Sequence, residues 1–170
     1  MKGLGLQMTG WIFAGFSAFV YLIQTTILCK LTVFGVMPDA VLVCVLCYTI
    51  IFGREKGFIA AFTAGLLMDF FTGVFFGRHI IIYLLSSALT SILSENTFGK
   101  NFLTASIINF AVSLAGAVLM AVYLYVTKID RNIIYSVFVV APIYGIYNML
   151  VGVFIYIFME NLKTFSYWKE

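Results

Sequence analysis

The stretch from Gly57 to Gly77 contains a stripe of very small residues interrupted by one carboxylate. Its members recur at every fourth position: Gly57, Ala61, Gly65, Asp69, Gly73 and Gly77. Residues four apart share one face of a helix. Small side chains at this spacing let two helix backbones approach closely, which is how helices associate inside lipid. The stripe therefore predicts a packing seam against another helix of the same chain, which is the commoner use, or against a partner protein.

Asp69 lies in this stripe among apolar neighbours that include Leu67 and Phe70. A carboxylate is costly in such surroundings, and inside a membrane segment it is by default a functional-site candidate with a partner. Arg78 is the nearest positive residue along the chain. We therefore expect an Asp69–Arg78 contact, direct or through water, that fixes the turn over 71–77. The alternative is that Asp69 only caps backbone N–H groups in the turn, which needs no arginine.

The composition indicates an integral membrane protein. The chain has 170 residues, of which 63% are hydrophobic and only 10% charged, whereas a soluble domain is about half apolar and a quarter charged. A membrane-spanning helix needs about 20 predominantly apolar residues. The sequence therefore predicts an all-α fold in one membrane domain, residues 1–170, with six transmembrane helices over 8–29, 38–52, 57–71, 78–93, 102–126 and 133–159.

The connection between the third and fourth spans cannot be an ordinary loop. If the third helix continued to Gly77, only Arg78 would remain before the next apolar run. Two antiparallel helices cannot be joined by one residue, so part of 71–77 is expected to be a turn or broken helix. Gly73 and Gly77 supply the backbone freedom for it.

Two other spans carry polar or helix-breaking residues. Pro38 and Asp39 open the second span, where a proline is tolerated and an aspartate meets the positive end of the helix dipole. This capping role competes with a functional role for Asp39. In the sixth span Pro142 is expected to kink the helix, and Asn148 to bond a neighbouring helix.

No catalytic set, cofactor site or metal-ligand cluster is evident in the sequence. Cys44 and Cys47 have the spacing of a metal or redox pair, but no second pair follows, so packing roles are expected. The single histidine, His79, is expected to be an interface residue. The net charge is +3, and the sequence has no run of basic residues that would suit nucleic-acid binding. The basic residues favour both termini in the cytoplasm, because six of the ten fall on that side in a six-span topology.

Several of these motifs together resemble one bacterial family. Pro38-Asp39, the Gly53 to Gly57 spacing, the run from Gly65 to Asp69, and then Gly73 and Gly77 occur in the order and spacing of the MreD family of rod-shape-determining proteins. Ala61-Phe62 stands where that family often has Gly-Phe. The segment from Pro142 to Asn148 also resembles the proline-to-asparagine motif of the family's last helix.

The resemblance implies a non-enzymatic scaffold in the bacterial inner membrane. Such a protein would belong to the cell-wall elongation machinery, bind MreC directly, and work with MreB, RodA and a class B transpeptidase. The implied fold is a six-helix bundle similar to the substrate-binding subunits of energy-coupling-factor vitamin transporters. A vitamin-capturing subunit is the alternative function. The short connector Leu31–Met37 and the mostly apolar last spans count against it.

Overall fold

The computed structural model describes residues 2–30, 32, 35–73, 76–95, 101–128 and 132–167, and the regular structure within these ranges is helical. The longer helices pack against one another as a single bundle. In chain order the helices are α1 Lys2–Thr26, a short 3₁₀ helix Leu28–Lys30, α2 Ala40–Phe52, α3 Arg54–Thr72, α4 Arg78–Glu95, α5 Phe102–Val126, α6 Ile133–Tyr135, a π-helical turn Ser136–Val140, and α7 Ala141–Tyr167.

A helix covers most of each segment for which a span is predicted. Among the described residues, Phe102–Val126 and Ile133–Asn161 are long and apolar enough to cross a membrane, whereas Ala40–Phe52 is apolar but shorter. With 13 residues, α2 is about 20 Å long, less than the ~30 Å of a bilayer core. The membrane crossing of the other segments stays a prediction.

The centre of the bundle is α2. Its residues from Ala40 to Cys47 are all buried, and it contacts α1, α3, α4, α5 and α7. The sequence of α2 is apolar around its whole circumference, and a helix of that kind is stable only when neighbours cover every face. The helix that carries the small-residue stripe, α3, therefore lies beside the central helix and does not itself form the centre.

The first part of the small-residue stripe, from Gly57 to Gly65, packs within the chain. At Gly57 a Cβ atom would lie 2.5 Å from the Thr49 hydroxyl oxygen of α2, and at Gly65 it would lie 2.6 Å from the Cα atom of Ile80 in α4. Ala61, between these two positions, is fully buried. Because Gly57 and Gly65 lack side chains, α3 touches α2 near the beginning of α3 and touches α4 further along α3.

The helical backbone runs on from α6 through the π turn into α7, and Pro142 is the second residue of α7. The backbone N–H of Ala141 donates to the carbonyl of Ser136, five residues back. Proline has no N–H with which to continue the usual i to i−4 ladder. A wider turn thus immediately precedes the proline, and the predicted kink of the helix at Pro142 stays a prediction.

Candidate functional site

Asp69 is buried at the end of α3, where the chain turns into α4. Gly73 has a left-handed backbone with φ of 62° and ends the helix, and Gly77 has φ of 100° immediately before α4. One carboxylate oxygen of Asp69 accepts from the backbone N–H of Gly77 at 2.8 Å and of Ile80 at 3.3 Å. The other accepts from the backbone N–H of His79 at 2.9 Å and from its ring Nδ1 at 2.8 Å.

The predicted direct Asp69–Arg78 contact is wrong, because the ring of His79 and backbone N–H groups meet the carboxylate instead. The Arg78 guanidinium lies 3.1 Å from the Nε2 atom of His79. A guanidinium nitrogen can only donate, so Nε2 accepts and the Nδ1 atom of His79 carries the hydrogen that Asp69 accepts. The Nε atom of Arg78 is buried and has no hydrogen-bond partner within the described part of the chain.

The carboxylate of Asp69 accepts hydrogen bonds from backbone N–H groups that the start of a helix leaves without partners. The first N–H groups of any helix have no partner within that helix. At the start of α4 three such groups, on residues 77, 79 and 80, converge on one carboxylate, which is also the geometry in which helix N-termini hold anions. The alternative expectation, that Asp69 caps backbone N–H groups, describes this arrangement, and sequence reasoning missed only the histidine ring.

A second carboxylate, Asp39, caps α2 and joins two further helices. Its Oδ1 atom accepts from the backbone N–H of Leu42 at 3.0 Å. The hydroxyl of Tyr83 in α4 lies 3.0 and 2.8 Å from the two carboxylate oxygens, and the hydroxyl of Tyr144 in α7 lies 3.3 Å from Oδ2. Pro38 is buried directly before this cap and thus lies outside the first helical turn. Asp39 therefore caps its helix and also makes tertiary contacts.

Asn148 connects the two regions that carry the family resemblance. Its side-chain oxygen accepts from the backbone N–H of Asp39 at 2.9 Å, and its amide nitrogen donates to the hydroxyl of Ser113 in α5 at 3.1 Å. Asn148 is fully buried. The prediction that it bonds a neighbouring helix is confirmed, and the contact with Asp39 shows that residues far apart in sequence form one polar cluster.

A cavity of about 250 Å³ lies between α2, α4, α5 and the π turn. Asp39, His79, Tyr83 and Tyr144 supply its main polar side chains, and most of the remaining lining is apolar. His79 and Tyr83 are one helical turn apart on α4, and each bonds a different carboxylate. Asp69 and Asp39 are thus connected through two α4 side chains that the sequence analysis did not assign to either carboxylate.

The cysteines do not form a metal site in the described structure. Cys44 and Cys47 are free and buried, and the thiol of Cys47 lies 3.8 Å from the Gly152 carbonyl and 3.4 Å from the Asn109 amide nitrogen. The side chain of Cys29 lies outside the described residues. Within those residues, no group of three or more histidine, cysteine or acidic side chains could hold a metal ion.

The family model for rod shape-determining protein MreD matches residues 5–165, which include the polar cluster and the small-residue stripe. The chain belongs to the MreD family. Among curated proteins and among solved structures, none matches the chain.

Membership of the MreD family gives the chain a role in rod-shape determination and makes it a membrane protein. It favours this role over the vitamin-capture alternative. The expected likeness of MreD to energy-coupling-factor transporter subunits stays a prediction.

Proposed function

We propose that this chain is a non-enzymatic scaffold of the cell-wall elongation machinery in the bacterial inner membrane. The observation that carries the proposal is the family match over residues 5–165. The contacts of the motif residues support it, because Asp39, Asp69 and Asn148 each hold separate helices together. A scaffold requires such fixed relations between its helices.

The proposed topology has six spans within one membrane domain, residues 1–170, and both termini in the cytoplasm. The helix bounds support it, since α1 to α5 each cover one predicted span and α6 to α7 cover the last. One end of the bundle contains the beginnings of α2 and α4, the end of α3 and the π turn. The Asp39 and Asp69 contacts and the cavity lie at this end. In this topology that end of the bundle faces the periplasm.

The proposed direct partner is MreC, with RodA, the class B transpeptidase and MreB in the same assembly. The partner is expected to bind outside the Gly57–Ala61–Gly65 part of the stripe, because Gly57 and Gly65 already lie against α2 and α4. Two outward faces are candidates, and both present exposed apolar side chains at helical spacing. They are Phe62, Leu66 and Phe70 on α3, and Ile146, Leu150 and Phe154 on α7.

Photocrosslinking in membranes tests the partner and identifies the face. A photoreactive residue is placed singly at each of the six positions, and MreC is detected by immunoblot after illumination. We expect strong crosslinks from one face only, with the other face as the matched control. If neither face crosslinks and MreC does not co-purify with the full chain, direct binding is excluded.

A deletion in the source organism tests the function independently of any partner. Removing the chain is expected to convert rods to rounded cells, and a plasmid copy to restore them. An Asp69→Asn copy at normal membrane levels is expected to restore them less well. Unchanged rod shape in the deletion strain would overturn the proposal.

A further inference from the structure

Among the described residues that line the cavity between α2, α4, α5 and the π turn, Asp39 is the only carboxylate. A carboxylate has about four acceptor positions. In the described structure Asp39 uses three donors, namely the Leu42 N–H and the hydroxyls of Tyr83 and Tyr144. The Tyr144 contact is the longest of these, at 3.3 Å. The Tyr83 hydroxyl is shared between the two carboxylate oxygens, so the long Tyr144 contact is the one that a stronger donor in the cavity would replace.

No basic side chain among the described residues forms an ion pair with Asp39. The other polar groups nearby have different partners. His79 donates through Nδ1 to Asp69, and its Nε2 atom faces the Arg78 guanidinium. Asp39 is thus surrounded by neutral donors, and a positive group that entered the cavity would find it without competition from a described side chain.

The rest of the cavity wall suits a short apolar body. On the α5 wall, Gly116, Ala117 and Ala121 are small and leave space, and the larger side chains there, Met120 and Leu124, are apolar. Leu42 and Ile82 contribute apolar surface from the other side. Cavities that hold drug-sized molecules are roughly 300–1,000 Å³. A volume of about 250 Å³ therefore fits a smaller molecule.

We propose that this cavity binds a protonated amine carried on a short apolar body, with the ammonium group donating to Asp39. A hydrogen bond to a charged acceptor is stronger than one between neutral groups, especially away from water. The ammonium would replace the Tyr144 hydroxyl at the Oδ2 atom of Asp39, and the apolar part would cover the α5 wall. Two sources have this chemistry: a free alkylamine, and the amine headgroup of a membrane lipid.

Calorimetric titration of the purified full chain in detergent tests the proposal with hexylammonium, and with hexanol as the neutral analogue of the same length. We expect saturable binding of hexylammonium, at least about tenfold tighter than hexanol, the ratio that corresponds to one charge-assisted hydrogen bond. Asp39→Asn keeps a competent helix cap and is expected to remove the preference for the amine. Equal binding of both compounds to the native chain would overturn the proposal.

A cavity-filling variant keeps the test valid if Asp39→Asn does not fold. Ala117→Leu fills the cavity without changing Asp39, and Ala111→Leu adds the same atoms at an exposed position of the same helix. Binding is expected to be lost in the first variant and kept in the second. Unchanged hexylammonium binding in Ala117→Leu would place the site elsewhere and refute the proposal.

Lipid nanodiscs distinguish the two sources. If phosphatidylethanolamine weakens hexylammonium binding relative to phosphatidylcholine, the lipid headgroup occupies the site. If it does not, the ligand is a free amine. No partner protein is present in these titrations, so their result is independent of whether the chain binds MreC.

Discussion

Gly65→Ala adds one methyl group at the closest approach of α3 and α4. The new Cβ atom would lie 2.6 Å from the Cα atom of Ile80, 2.9 Å from its nitrogen and 3.0 Å from the His79 carbonyl oxygen. These are backbone atoms, so no side-chain rotation can relieve the overlap. The start of α4 has to move away from α3, and the contacts of Asp69 are the first that this movement lengthens.

The cost can be worked out from these distances. Carbon atoms pack at about 3.5–4.0 Å, so α4 must withdraw by roughly 1 Å. Overpacking of this kind costs about 1–3 kcal/mol. The Ile80 N–H bond to Asp69 is already 3.3 Å long, and losing a bond to a charged acceptor costs about 1.5–3 kcal/mol more. Alanine regains about 1 kcal/mol of helix propensity, which leaves a net loss of about 1.5–5 kcal/mol.

Gly116→Ala is the matched control for this substitution. The nearest atoms to a Cβ there are the Ser86 hydroxyl oxygen at 3.7 Å and a methyl carbon of Ile82 at 3.9 Å, which are ordinary contacts. We expect no loss, or a gain of up to about 1 kcal/mol. The assay is reversible unfolding in mixed micelles, followed by circular dichroism. If Gly65→Ala stays within about 0.5 kcal/mol of the native chain, as ordinary surface changes do, the close helix approach is wrong.

Three further outcomes are expected. Asp69→Asn lowers the free energy of unfolding by about 1.5–3 kcal/mol for each hydrogen bond lost. Arg78→Gln lowers it by much less, because Arg78 does not contact Asp69. Equal losses for the two variants in the micelle assay would contradict this arrangement. Asn148→Ala leaves the Asp39 N–H without its acceptor, at a cost of about 1–3 kcal/mol by the same assay, and an unchanged midpoint would exclude the contact. A cysteine at Glu55 is expected to react with an impermeant reagent only after the cells are opened, and labelling of intact cells would reverse the topology.

The packing role of the stripe could be predicted from the sequence because it depends on local periodicity. Four-residue spacing fixes which side chains share a face, and the absence of side-chain atoms at Gly57 and Gly65 permits close approach wherever a neighbour lies. The helix break was predictable for a similar reason, since Gly73 and Gly77 bracket a connection with no room for a loop. Periodicity alone does not identify the neighbour, so the sequence left an internal and an external partner open.

The partner of Asp69 was predicted wrongly because distance along the chain was used in place of helix geometry. Arg78 has the nearest positive charge, but the groups that meet the carboxylate are those that any helix start leaves unpaired. A helix beginning at residue 78 presents the N–H groups of residues 79 and 80, and this signal was available in the sequence. The central place of α2 was also detectable, because a helix without a polar face requires neighbours on all sides.

The first turns of α4 connect the Asp39 and Asp69 sites, so a movement of this helix affects both. His79 bonds Asp69 at the end of α3, and Tyr83, one turn later, bonds Asp39 at the start of α2. Because these two side chains share one face of a rigid helix, a displacement of α4 relative to α3 also displaces Tyr83 relative to Asp39. Both contacts adjoin the cavity, so a protein bound near the α3–α4 connection and a molecule bound at Asp39 would act on the same helix. Coupling between two sites requires a shared element of this kind.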